Sequence, residues 1–299
     1  MHYRPFAPKD REAAFRLFRE SIHAYMLDLG MVDAHAPIDY DGNWRRQQDL
    51  YRHLEQTAAE DWVAQDDDGA LVGWARSVER DGHLQLTHFF VAPGTQGAGV
   101  GRQLLHRAFP PGRGRQRSII ATTSPGALSL YLRHGVDYQC MAFSFIGRPQ
   151  ARADDEGDLR IERVQPAADT LDRLVEIDAQ VLGFRRAVDL EYFMCRQPVY
   201  LAWRADCLAG YAFGSDGLSS GPAAALRPQD LPALLRRVEA SACDAGVDEL
   251  LLMIPARAAD AVNWALTSGY RIDPFYEVLL ANTPMQLDRY LLTDSTFTW

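Results

Sequence analysis

Between its first and second thirds the chain reads Val91-Ala92-Pro93 and then Gln96-Gly97-Ala98-Gly99-Val100-Gly101-Arg102, a glycine-rich turn after an apolar strand and before a helix starting near Gly101. Glycines let the backbone take positive φ and approach a ligand closely, and the N–H groups and positive dipole end of a following helix suit a pyrophosphate. The surrounding charge points the same way. From Gly82 to Val136 there is no aspartate or glutamate, although 40 acids in 299 residues would place about seven in such a window. Arg102, Arg107, Arg113, Arg115, Arg117 and Arg133 lie there, so a chain of net charge −9 holds a basic stretch around its most glycine-rich turn. This predicts an anion site; a merely solvated basic helix would leave the missing acids on strands and loops unexplained. Two rival phosphate motifs are excluded: no lysine follows the glycines, as a Walker loop needs, and the first acid after them is Asp137, too far for a dinucleotide fingerprint.

The elements that must position this turn follow from periodicity. Arg11 to Leu29 carries Phe15, Leu17, Phe18, Ile22, Tyr25 and Met26 at helical spacing, and Trp44 to Ala58 forms a second helical stretch. Trp62 to Gln65 and Leu71 to Ala75, joined through Asp66-Asp67-Asp68-Gly69, read as a hairpin. Leu84 to Val91 is a third strand, Ser118 to Thr122 a fourth, Ala127 to His134 a helix and Tyr138 to Ile146 a closing strand. The polar, acidic segment 151–158 reads as a linker between domains 1–150 and 159–299. Beyond it the outline repeats: strand Leu159 to Val164, helix Thr170 to Leu182, hairpin Tyr200 to Arg204 and Leu208 to Phe213, helix Gln229 to Ala242, strand Leu250 to Ile254, helix Ala258 to Ser268 and strand Phe275 to Ala281. Leu71-Val72-Gly73-Trp74-Ala75 echoes Leu208-Ala209-Gly210-Tyr211-Ala212, and Ala127 with Gly135 echoes Ala261 with Gly269. Two diverged copies of one α/β fold are expected.

Composition narrows the setting. Apolar residues make up 47% and charged residues 24%, which gives each half a core and excludes general disorder. The acidic balance argues against nucleic acid as a partner. No apolar run reaches the ~20 residues of a membrane span, and the polar start, without a signal-peptide core, predicts a cytoplasmic protein. Cys140, Cys195, Cys207 and Cys243 have no metal-ligand spacing and read as reduced, mostly buried thiols, so no metal is expected.

Val91-Ala92-Pro93 with Gln96 to Gly101 resembles the V-x-P…[QR]-x-x-G-x-[GA] motif of the GNAT superfamily of acyl-CoA-dependent N-acyltransferases, and Ala127-Leu128-Ser129-Leu130-Tyr131-Leu132-Arg133-His134-Gly135-Val136 is similar to its A-x-x-L-Y-x-x-x-G-F segment. The resemblance covers residues 3 to 147 closely and the second half more faintly. It implies an α/β (α+β type) architecture of two tandem GNAT-like domains, each a mixed β-sheet that splays open and is flanked by helices. Acetyl-CoA would lie in the first splay as co-substrate, its pantetheine arm along Phe89, Phe90 and Val91, its pyrophosphate on Gln96, Gly97, Ala98, Gly99, Val100, Gly101 and Arg102. Ser124 stands where the family often has a cofactor-contacting asparagine. Tyr131 takes the place of the general acid that protonates the departing thiolate, a proton a phenol can give.

The strand position that often carries a catalytic glutamate aligns with Gln85, which faces the site but is no base. Strand alternation puts Thr87 on the same side and His88 on the other, unless a bulge shifts the register. In the second half Leu226-Arg227-Pro228-Gln229-Asp230 replaces the glycine turn and Ala265 stands in the place of Tyr131. A proline without N–H and an acid in the first turn repel a pyrophosphate, which leaves that half to wall the acceptor cleft or to form a homodimer contact. The expectation is an enzyme that transfers an acetyl group to a small-molecule primary amine by direct attack in a ternary complex. A non-catalytic acyl-CoA sensor and a protein-modifying acyltransferase are the alternatives. Asp28, Asp33, Asp39 and Asp41, over the acceptor end, suggest a cationic amine.

Overall fold

A computed structural model of the protein describes residues 1–33, 35–95, 97–151, 157–215 and 220–293. Most of the segment read as a linker lies outside them. The chain divides into two compact units, residues 1–120 with 124–136, and residues 121–123 with 137–299. No described helix is long and apolar enough to cross a membrane.

The first unit runs β1 (His2–Pro5), α1 (Arg11–Asp28), α2 (Tyr40–Gln56), β2 (Ala58–Gln65), β3 (Leu71–Arg80), β4 (His83–Val91), α3 (Val100–Ala108), β5 (Gln116–Ala121) and α4 (Pro125–Arg133). Strands β1 to β4 pair antiparallel in sequence order, and β5 joins β4 in parallel. Helix α1 begins behind a one-turn 3-10 helix whose Asp10 accepts from the Ala7 N–H at 2.8 Å and from Arg4 at 2.6 and 2.8 Å. Its apolar stripe, Ala14, Phe15, Leu17 and Phe18, is buried against Val63, Trp74 and Tyr51. Each such ring contributes about 1.5–3 kcal/mol by burial. The opposite face of the sheet carries α3, which buries Val100, Leu104, Leu105 and Ala108. That helix sits so close that a Cβ on Gly73 would lie 2.6 Å from Leu104 Cδ1.

The second unit holds β6 (Asp137–Gly147), β7 (Leu159–Val164), α5 (Ala168–Val181), α6 (Ala187–Met194), β8 (Val199–Arg204), β9 (Cys207–Phe213), β10 (Ala223–Ala225), α7 (Leu231–Asp244), β11 (Leu250–Pro255), α8 (Ala259–Thr267), β12 (Arg271–Ala281) and β13 (Tyr290–Leu291). Its strands lie in the orders β13-β10-β9-β8-β7 and β12-β6-β11. The repeat seen in the sequence has a physical basis: a Cβ on Gly210 of β9 would lie 3.0 Å from Leu234 Cδ1 of α7, as one on Gly73 meets Leu104 of α3. Strand β6, expected to close the first half, pairs antiparallel with β11 from Gly147↔Leu250 to Ala142↔Pro255 and with β12 on its other side. Its residues alternate equally well against either half, so their pattern does not choose the sheet.

The thiols are less buried than expected. Cys140 is buried and Cys243 partly so, but Cys195 and Cys207 are exposed on the end of α6 and the start of β9.

Candidate active site

Strand β4 pairs with β5 only from His83↔Gln116 to Leu86↔Ile119. Beyond Leu86 the two strands part, so the stretch from Thr87 to Val91 faces a splay on the side away from β3. At that point β4 bulges: Ser77 of β3 opposes Leu86 and Arg76 opposes His88, leaving Thr87 as the extra residue. Directly paired residues share a face. Gln85 opposite Val78 and His88 opposite Arg76 therefore point to the same side, toward α1 and α2, and the expectation that His88 faces away from Gln85 is overturned. The sequence gives no warning, since Thr87 lacks the glycine that often marks a bulge.

His88 is fully enclosed by aromatic rings, with centroids 4.3 Å from Trp74, 5.1 Å from Tyr51 and 6.3 Å from Phe90. Its Nδ1 lies 3.0 Å from Thr87 Oγ1, while Nε2 finds no hydrogen-bond partner among the described residues. Burial, and then the charge of Arg76, push the imidazole well below its usual value, so it is neutral near pH 7. Beneath it Asp61 of β2 binds Arg76 at 2.7 and 2.8 Å and accepts from Trp74 Nε1 at 2.9 Å. Burial outweighs these bonds and holds the Asp61 carboxyl above its ordinary value. Gln85 is buried, in reach of the same face.

Across the sheet, Phe89 and Val91 point toward α3 and α4. Phe89 meets the Tyr131 ring edge to face at 5.6 Å, and a Cβ on Gly101 would lie 3.1 Å from Phe89 Cζ. Tyr131 is 4% exposed, and burial pushes its phenol well above the usual value, so it holds its proton throughout the working pH range. Phe90, between them, turns its side chain to the α1 side, 4.8 Å from Phe18.

The glycine turn is built for positive φ: Gly97 at 86° and Gly99 at 83°, the latter as the residue that starts α3. Around a Cβ on Gly97 there is nothing within 4 Å, and on Gly99 only Arg102 Nη2 at 4.0 Å. These two are glycines for backbone conformation, Gly101 for packing. The first bond of the helix is from Gln103 N–H to the Gly99 carbonyl, so the N–H groups of Val100, Gly101 and Arg102 lack partners within the helix. No acid lies in its first turn. Gln96 is outside the described residues. Ser124 precedes α4 without using its side chain to cap it.

Most arginines of the basic window are engaged within the fold. Arg113 binds Glu60 and, at 2.9 Å, Glu79, acids from outside the window. Arg117 donates to the carbonyls of Phe109, Pro110, Arg113 and His134, Arg107 to Gln103, and Arg115 to the Asp81 carbonyl. Arg102 and Arg133 stay exposed near the turn and on α4. Four of the six arginines thus hold the fold together.

In the second unit the corresponding splay is filled. Strand β13 pairs with β10 at Ala223↔Leu291 and Ala224↔Tyr290, and Leu292 bridges to Met253 of β11. Arg289 Nη1 donates to the Leu226 carbonyl at 2.8 Å, pinning the segment where a glycine turn would begin. Asp230, read as a charge that repels phosphate, is buried in an ion pair with Arg204 at 2.6 Å.

A splayed sheet beside a glycine-started helix is an arrangement that the comparison with known proteins also finds. Residues 59–136 match the acetyltransferase (GNAT) domain. No curated protein sequence matches the chain. Among solved structures it is similar to a candidate acetyltransferase from Pyrococcus horikoshii (16% identity, 97% of this chain and 92% of that one, TM-score 0.69). It is also similar to a GCN5-related N-acetyltransferase from Sphaerobacter thermophilus (18% identity, 94% of each chain, TM-score 0.63). A tandem GNAT protein from the clavulanic acid biosynthesis pathway shares the fold as well (15% identity, 94% of this chain and 97% of that one, TM-score 0.51). Residues 59–136 thus match a GNAT acetyltransferase domain, and the chain shares its fold over nearly its whole length with these structures, a tandem GNAT protein among them.

Proposed function

We propose that the first unit transfers an acetyl group from acetyl-CoA to a primary amine by direct attack in a ternary complex. The observation that carries this reading is the continuity of three features in one unit: the splay beyond Leu86, the glycine-started helix α3, and Tyr131 packed on Phe89 of the splayed strand. The pyrophosphate would rest on the N–H groups from Gly97 to Arg102, and the pantetheine arm would run along the unpaired edge of Phe89, Phe90 and Val91. Tyr131, held protonated by burial, gives its proton to the thiolate as the carbon–sulfur bond breaks, and the proton that the nitrogen loses as the amide forms restores the phenol. The buried Gln85 and the neutral, ring-enclosed His88 take no proton from the amine, because an amide is no base and an imidazole held below its usual value is a weak one. The amine enters as its neutral form or passes its proton to water, and the site supplies proximity.

Thiol release from acetyl-CoA with a panel of amines and a peptide panel, with product masses, tests the reading. Amine-dependent release with acetylated small amine supports it. Acetyl-CoA binding without any transfer would favour the sensor alternative, and acetylation of peptides alone would favour the protein-modifying one.

A further inference from the structure

Several arginines of the first unit face carboxylates, Arg4 with Asp10, Arg11 with Glu55, Arg76 with Asp61 and Arg113 with Glu60 and Glu79, and Arg117 is held by backbone carbonyls. Arg19 on α1 is different. Its guanidinium lies over the Phe18 ring at 5.5 Å, and its Nε is buried with no hydrogen-bond partner among the described residues. No described carboxylate makes an ion pair with it. The charged and polar groups that act on it are Arg46, which repels, and Asp39, Tyr40 and Tyr51, which attract. Asp39 is already engaged: it caps α2 through the Gly42 N–H at 2.8 Å and pairs with Arg46 at 3.7 Å. Burial is the largest influence on Arg19 and weakens its hold on its proton. Arg19 is half-buried, with one guanidinium nitrogen enclosed and no ion pair among the described residues, and an arriving anion would supply that partner.

The location ties this cation to the site. Phe18 packs on Phe90 of β4 at 4.8 Å and on Tyr51 at 6.1 Å, and Tyr51 meets His88 at 5.1 Å. His88 Nε2, fully buried and unpartnered among the described residues, belongs to the same aromatic wall. Two of the four carboxylates that suggested a cationic acceptor are occupied in local structure, Asp39 as above and Asp33 on the His35 N–H at 2.7 Å.

We propose that Arg19 binds an anionic group of the acceptor, so that the substrate is an amine that also carries a carboxylate or phosphate; this rests on the reading of the first unit as an amine acetyltransferase. The planar guanidinium offers a fork for either anion.

The test uses pairs of amines that differ only in the anion: an amino acid and its decarboxylated amine, and an aminoalkyl phosphate and its amino alcohol. In wild-type protein kcat/KM favours the anionic member. Arg19→Ala lowers kcat/KM for that member by about 10- to 100-fold, the worth of a charge-assisted hydrogen bond, and leaves its neutral counterpart within about threefold. Arg19→Lys falls between. Titration calorimetry of the same pairs into CoA-saturated protein reads binding apart from turnover. If anionic amines bind through Arg19 but none is acetylated, the transfer reading fails and the subsite stands. If the neutral or a cationic amine is preferred, or Arg19→Ala affects both members alike, the subsite is overturned whether or not transfer occurs. The pair that responds more strongly tells carboxylate from phosphate.

Discussion

Gln85 and His88 lie on one face of β4 because the bulge at Thr87 removes a residue from the ladder between them. A glutamine and a neutral, ring-enclosed histidine therefore stand where a carboxylate would make a direct base. In the proposed reaction this face supplies no base, and the transfer rests on proximity and on a proton given to the thiolate.

The burial of His88 has a thermodynamic consequence. The unfolded imidazole takes up a proton near pH 6.5, whereas the folded one does so only at much lower pH. Below about pH 6.5 the unfolded state binds the extra proton, so this group costs stability as pH falls, by up to about 1.4 kcal/mol per pH unit, and nothing above pH 7. Urea unfolding at pH 7, 6 and 5 should show a steeper loss in wild type than in His88→Gln. Equal slopes would show that His88 is not buried as described.

Proton return to the thiolate is assigned to Tyr131. Tyr131→Phe should lower kcat by about 10- to 1,000-fold, the lower part of the general-acid range extended by one decade, with CoA affinity little changed. Gln85→Ala should cost much less, and Gln85→Glu should raise the rate near neutral pH by adding a base on the reactive face. Steady-state rates with CoA titrations separate these effects; full turnover in Tyr131→Phe with none in Gln85→Ala would reverse the roles.

In the second unit a buried network anchors the strand that fills the splay. Arg186 binds Asp178 at 2.5 Å and the hydroxyl of Tyr290 on β13, and Tyr211 donates to Asp178 at 2.5 Å. Burial raises the Asp178 carboxyl above its usual value although Arg186 opposes the shift. Asp178→Ala takes a carboxylate partner from the buried Arg186 and should cost about 3–5 kcal/mol. Adding Arg186→Met should restore part of the loss, which chemical denaturation of the single and double variants would reveal. A strictly additive double variant would mean that the pair is not coupled.

Much of this was legible in residue order. The hairpin through Asp66 to Gly69, the glycine turn and the Ala127 to Val136 helix follow from punctuation and period, since each is specified locally. Gly73 and Gly210 marked the repeat because a helix packs on both. Three things were not legible. Strand β10 is Ala223-Ala224-Ala225 and β13 only two residues, too little to carry a period. Helix α6, with Leu190, Phe193 and Met194 buried in eight residues, is too short to separate from a buried strand. The bulge at Thr87 and the partners of the arginines depend on tertiary contacts that no spacing records.

In the proposed reaction one acetyl-CoA binds the Gly97 to Arg102 turn of the first unit and none binds the second, where β13 fills the splay and Pro228 replaces a donor. Titration calorimetry of CoA into wild-type and Gly99→Asp protein, with circular dichroism to verify folding, tests this most directly. Gly99 holds φ 83° in open space, so an aspartate there strains the turn and sets a negative charge against the diphosphate. The predicted result is a single CoA per wild-type chain and no measurable binding to folded Gly99→Asp. Two CoA per wild-type chain, or affinity retained by folded Gly99→Asp, would contradict it.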